Sequence, residues 1–463
     1  MMMYYLMIEI FIFGYLLIVL EHNTHINKAA TALIMGAGLW ALYAIGAQEI
    51  LALGFSETWK EWLVNNGNDG SQESITHFLV HHELTEHLAE IASIVFFLMG
   101  AMTIVEVIDE YQGFRVITNK IKVTNKPKLL AIMSFLTFFL SAALDNLTTT
   151  IVIVAVLNKL IKDDETRWYF ASMMVVSANA GGAWSPIGDV TTIMLWIGGQ
   201  ITALNIVKEI FFPSFVAMIL PLGILCMKLK GEIDPPDLGE DENKAFIPLR
   251  DRLIVLIMGI VALLAVPVIK SYTHLPPFIG MLLGLGAMWF LTDFKLHSKT
   301  LADKRRLNVG RILTKIDMPT VLFLMGILLA VGALSSAGHL NVMAGFMQEH
   351  FTDIYFQNTL IGVLSAVVDN VPIVAAFMGM YPIAEAGATG EMANFVVDGK
   401  FWEMLAYASG TGGSILIIGS AAGVAAMGME RISFLWYLKN IGWIAGIGYL
   451  GGIALFYFEM WLM

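Results

Sequence analysis

The chain has 463 residues, a net charge of −11, and 57% hydrophobic against 14% charged residues. With a mean hydropathy of +0.72 and many apolar runs of about 18 residues or more, it reads as a polytopic α-helical membrane protein. A soluble domain, which carries about 25% charged residues, is excluded; the acidic balance argues against a nucleic-acid partner, and the lone Cys226 against a disulfide framework or a multi-cysteine metal site.

Met1 to Leu20 is apolar without a basic leader or a small-residue cleavage site, so it reads as a retained first helix, spanning 3–20. Further spans are expected at 29–48, 90–109, 168–200, 206–227, 253–270, 277–293, 319–336, 402–427 and 433–458. Two segments fit poorly as simple spans. In 129–160, the arms Leu129 to Leu144 and Leu147 to Leu160 would be about 24 and 21 Å long as helices, against a hydrocarbon core of roughly 30 Å. A hairpin turning at Asp145-Asn146 fits better. The segment 355–382 is expected to turn in the same way at Asp369-Asn370-Val371-Pro372, where Pro372 breaks the helix.

The two turns share a pattern, Ser141-Ala142-Ala143-Leu144-Asp145-Asn146 and Ser365-Ala366-Val367-Val368-Asp369-Asn370. A duplicated acidic site in apolar surroundings points to a transporter with one such site per half. Arg115, Lys120, Lys122, Lys126 and Lys128 precede the first hairpin, and Lys159, Lys162 and Arg167 follow it, which places both its ends in the cytoplasm. No Lys or Arg lies between Lys315 and Lys400, which places the second hairpin and its flanks outside. The expected fold is therefore all-α, an inverted repeat of three spans, a re-entrant hairpin and two spans, with the N-terminus outside. The first repeat is 1–227, with a scaffold 1–128 and a hairpin and broken helix 129–227. A cytoplasmic linker, 228–252, leads to the second repeat, 253–463, divided into 253–354 and 355–463.

Two spans carry helix breakers: Gly181-Gly182-Ala183-Trp184-Ser185-Pro186-Ile187-Gly188-Asp189 in one, and Ser409-Gly410-Thr411-Gly412-Gly413-Ser414 in the other. Backbone freed at membrane depth is tolerated where it lines a cavity. The expected ion-binding and coupling residues are Asp145, Asn146, Thr148, Asn179, Asp189, Thr191, Asp369, Asn370, Ser409 and Thr411, with Na+ placed at Asp145 and Asp369. Carboxylates, hydroxyls and carbonyls suit a hard cation. Protons compete for the same oxygens, because burial favours the neutral acid and a bound cation the ionised one. A carrier that reorients only when loaded with one or the other exchanges them. Asp145, Asp369 and Asp189 also read as helix caps, a role compatible with ion binding.

On the expected outer face, His77, His81, His82, Glu86 and His87 cluster with Glu83 and Glu90. A solvated polar helix end accounts for them; an external pH-responsive entrance is the sharper reading. The order of residues is not the H-E-x-x-H zinc pattern, because Glu86 stands where the second histidine would be. Glu106, with Asp109 and Glu110 at the end of its span, is a relay candidate beside an interfacial reading. No resident cofactor is expected, and the chain reads as a carrier, not an enzyme. An intramembrane aspartyl hydrolase using Asp145 and Asp369 is the competing class, and a sodium-coupled anion symporter is the competing transporter.

The paired hairpins, the Gly181 to Thr192 run and the Ser409 to Ser414 run resemble the NhaD-type sodium/proton antiporters of the ion transporter superfamily. The resemblance covers nearly the whole chain. It implies export of Na+, and of Li+ with it, in exchange for H+ across a bacterial inner membrane. The related divalent-anion/sodium symporters imply a homodimer and elevator-type alternation, with a moving domain that holds both hairpins. Those symporters carry Ser-Asn-Thr at the hairpin tips where this chain has Asp-Asn, so a carboxylate substrate is not expected. The His-rich segment is not part of the resemblance.

Overall fold

The computed structural model describes residues 1–19, 26–66, 71–118, 123–233, 247–296, 307–351, 353–367 and 370–462. The described residues are all-helical in architecture, 82% of them in helices, and eight of the described helices are long and apolar enough to cross a membrane. Asp369, Lys120 and Lys122, and most of the expected linker, lie outside the described residues.

The first part of the chain gives α1 (Met2–Val19), α2 (Lys28–Leu51) and α3 (Leu84–Glu110). The hairpin follows as α4 (Lys126–Leu144) and α5 (Asn146–Leu160), and the broken span as α6 (Asp164–Ala183) and α7 (Val190–Ile197). Helix α8 (Ala203–Lys228) ends this half. The second half gives α9 (Leu249–Thr273), α10 (Pro277–Leu296), α11 (Met318–Ser336) and α12 (His339–His350), then the second hairpin, α13 (Ile354–Ser365) and α14 (Asn370–Met380). Its broken span is α15 (Lys400–Gly412) and α16 (Ala421–Glu430), followed by α17 (Trp443–Leu462).

Lys126, at the start of α4, donates to Thr166 Oγ1 at 3.0 Å, just beyond the end of α5. The start of one arm and the end of the next thus lie together. In the second hairpin, Gln357 Nε2 donates to Tyr381 OH at 2.9 Å, which joins the start of α13 to the end of α14. The first arm is longer than the sequence pattern suggests: Pro at its first turn and the Asn125 side chain, accepting from Lys128 N, start the helix at Lys126.

The hairpins open at opposite ends of the molecule. Helix α6 starts at the first end, where Arg167 Nε meets Glu430 Oε2 at 2.5 Å and so ties the start of α6 to the end of α16. At the other end, Asp398 accepts from Thr202 N at 2.6 Å and Thr202 Oγ1 at 2.8 Å, and so ties the start of α15 to the segment after α7. Each broken helix thus begins beside the end of the other.

The breaks are built by close backbone contact. A Cβ on Gly188 would lie 2.8 Å from Gly182 Cα and 3.0 Å from Ser141 O, so the chain can fold back on itself only with glycine there. Gly419 repeats the arrangement, 2.8 Å from Ala366 Cα and from Gly413 O. The hairpin serines secure the fit: Ser141 Oγ donates to Ala178 O at 2.6 Å, and Ser365 Oγ to Ser409 O at 2.8 Å. Around this body pack α2 against α11, α3 against α10 and α11, and α9 against α10.

Candidate functional site

The two hairpin tips and the two helix breaks meet at the Asp189 carboxylate, which is 1% exposed. Asp189 caps α7, with Oδ1 accepting from Thr191 N at 2.9 Å and from Thr191 Oγ1 at 2.8 Å. From the first tip, Asn146 Nδ2 donates to Asp189 Oδ2 at 2.5 Å. From the second, Asn370 Nδ2 reaches the two carboxylate oxygens at 3.4 and 3.5 Å. Asn179, fully buried on α6, accepts from Asn146 at 3.1 Å and donates to Ser414 and Ser420 Oγ at 2.9 Å each. The tips, α6 and the second break thus form one hydrogen-bonded unit.

Asp145 stands at the first tip. Its carboxylate caps α5, accepting from Thr148 N and Thr148 Oγ1 at 2.8 Å each. Its backbone has φ 77° and ψ 159°, a region essentially reserved for glycine that costs a non-glycine residue about 1–3 kcal/mol. Asp145, Asn146, Thr148, Asp189 and Asn370 face a cavity of about 60 Å³, roomy enough for a small ion with water. Leu98 and Met102 of α3 and Thr320 to Leu324 of α11 close its other side. Its described lining contains two carboxylates and no Lys or Arg.

Seven of the expected residues, Asp145, Asn146, Thr148, Asn179, Asp189, Thr191 and Asn370, are brought together here. Ser409 and Thr411 lie on α15 with their hydroxyls donating to carbonyls of their own helix, Leu405 O at 2.7 Å and Tyr407 O at 2.6 Å. The oxygens keep lone pairs, but neither residue is in the Asp189 network. Ser414 and Ser420 are, through Asn179; Ser414 closes the glycine-rich run singled out in the sequence, and Ser420 lies just beyond it. Thr320, a polar residue on the α11 side of the cavity, had no sequence signal at all.

The histidine cluster lies elsewhere. His87 packs beside Gly332 of α11, about 16 Å along α3 from Leu98. A π-helical turn at Phe78–Glu83 runs through the cluster and keeps its residues within reach of one another. The outcome is His82 Nδ1 at 3.5 Å from Glu83 and 3.6 Å from Glu86, and His87 at 3.9 Å from Glu83 and 3.7 Å from Glu90. The His77 and His81 rings lie side by side, tilted by 44°, with centroids 5.1 Å apart.

A family profile described as citrate transporter (CitMHS) matches residues 15–399. The chain is 42% identical over 447 residues to sodium/proton antiporter 1 of Arabidopsis thaliana, across 95% of this chain and 70% of that one. It is 40% identical over 449 residues to sodium/proton antiporter 2 of the same plant, across 95% and 96%. The chain belongs to this transporter family, and it is of the NhaD type. The Na(+)/H(+) antiporter NhaD of Alkalimonas amylolytica is 29% identical over 481 residues, across 98% of this chain and 90% of that one. As a member of the NhaD type this is a multi-pass membrane protein. Since two of these relatives come from a plant, membership does not by itself imply a bacterial membrane.

Proposed function

We propose that this protein is a secondary active sodium/proton antiporter that exchanges Na+, and Li+ on the same ligands, for H+. The observation that carries the reading is the pair of carboxylates, Asp145 and Asp189, facing one cavity where the hairpin tips meet, with no Lys or Arg in its described lining. A hard cation is satisfied by carboxylate, amide and hydroxyl oxygens; an anion would face two carboxylates there without a cationic side chain in the described lining. Na+ is held at Asp145 and at Asp369 of the second tip, with Asp189 between the tips. H+ and Na+ compete for these oxygens, and only the loaded carrier reorients.

The halves 1–227 and 253–463 act as inverted repeats joined by 228–252; hairpins that open at opposite ends support this reading. The hairpins and broken helices travel as one body, elevator fashion, against α2, α3 and α9–α11, and the protein works as a homodimer. It lies in a bacterial inner membrane with its N-terminus outside. The family's citrate description motivates the second reading, sodium-coupled uptake of a carboxylate anion.

Purified protein in liposomes, under an imposed pH gradient and with a pH-sensitive dye inside, separates the two. Antiport predicts a proton flux on addition of Na+ or Li+ and no accumulation of labelled citrate. Citrate accumulation driven by Na+, without a cation-triggered proton flux, would overturn it.

A further inference from the structure

An ammonium partly withdrawn from water calls for a hydrogen-bond partner. Lys270, near the end of α9, donates to the backbone carbonyl of Trp196 at 2.6 Å. Its Nζ also lies 4.5 Å from the centroid of the Trp196 ring, within the range of a cation–π contact. Arg167 pairs instead with Glu430, and Lys400 with Glu209 and Glu403. The Trp196 ring is 2% exposed, and Phe97 of α3 meets it edge-on with centroids 6.4 Å apart.

Trp196 stands in the last turn of α7, the helix that Asp189 caps. The final carbonyls of a helix lack intrahelical donors and carry the negative end of its dipole, so a cation there is favourable. The eight-residue α7 is about 12 Å long. It therefore has an ion-site carboxylate at one end and Lys270 at the other. The helices that Lys270 joins pack chiefly in different groups: α7 mainly on α14 and α15, with a smaller contact to α3, and α9 mainly on α10 and α3, with a smaller contact to α4.

We infer that Lys270 is a positioning residue: a latch from α9 onto the far end of the Asp189 helix, which holds the carrier in the arrangement seen here and must let go before the site can reorient. This rests on the reading that the hairpin body moves against α9 and its neighbours. Breaking a hydrogen bond from a charged donor should change the ratio of the two arrangements by about tenfold or more.

The test is a distance distribution between spin labels at Phe212 on α8 and Leu283 on α10, both exposed, in full-length Cys226→Ser protein in nanodiscs. The unsubstituted lysine and Lys270→Arg are expected to give one dominant separation. Lys270→Met and, independently, Trp196→Leu are expected to populate a second separation. Folded Lys270→Met or Trp196→Leu protein that keeps the dominant separation alone would overturn the latch. The readout needs no ion flux: a latch-dependent second separation in a protein that shows no Na+-triggered proton movement would contradict antiport and leave the latch standing.

Discussion

Asp189 and Ser420 hold matching places in the two halves, each capping the second segment of a broken helix directly after a glycine packed against the first. One cap is a carboxylate and the other a hydroxyl, and Asn179 lies between, linked to Ser420 directly and to Asp189 through Asn146. The halves are alike in architecture and unlike in charge. Asp189→Asn should keep the cap and the packing and lose Na+-driven proton flux by about 100-fold. Ser420→Ala should retain flux and lose about 1 kcal/mol of stability through its missing bond to Gly423 N. Paired flux and thermal-unfolding measurements check both.

Asp145 separates strain from function. Replacing a helix cap by glycine costs only a few tenths of a kcal/mol, while relieving its backbone recovers about 1–3 kcal/mol. Asp145→Gly should therefore unfold at a higher temperature than the wild type yet carry no Na+-coupled proton flux. A variant that is both less stable and fully active would contradict this account of the tip.

The Arg167–Glu430 pair ties the two broken helices at one end, and the Glu430 side chain is fully buried. Removing Arg167 strands the Glu430 carboxylate, at a cost of about 3–5 kcal/mol. Arg167→Ala should be destabilised by that order, and Glu430→Ala by less, because Arg167 keeps Asp164 and the carbonyls of Ile161 and Lys162. The double variant Arg167→Ala/Glu430→Ala should be less destabilised than the sum of the single ones, as a double-mutant cycle in detergent would show.

Competition sets the sign of the pH dependence. Protons and Na+ share the carboxylates, so lowering the pH protonates the site and weakens Na+ binding. The apparent KM for Na+ should rise as pH falls, approaching about tenfold per unit where one proton competes, while the maximal rate at saturating Na+ changes less. A pH series of initial rates in liposomes provides the check.

Much of this architecture was legible because its devices leave local marks. The repeated Ser-Ala-x-x-Asp-Asn turns announced both hairpins, and glycine and Pro186 announced the breaks. The members of the centre were legible, but their arrangement was not. Sequence placed the ion at Asp145 and Asp369, but what gathers Asn146, Asn370 and Asn179 around Asp189 is the meeting of segments far apart in the chain. Periodicity carries no such information. The histidine–carboxylate contacts, by contrast, follow from spacing: His82 and Glu86, and Glu83 and His87, stand four residues apart and meet, π-helical turn included. Lys270 ends the expected span 253–270, and nothing local marks its partner, a backbone carbonyl 74 residues away in the chain.

The most direct test of the account is proton release on ion binding. Purified protein in weak buffer would be titrated with Na+ while a pH dye reports released protons and radioactive Na+ reports occupancy. The account predicts saturable acidification that tracks Na+ occupancy in the wild type and disappears in Asp189→Asn. Na+ binding without proton release, or equal release from Asp189→Asn, would contradict it.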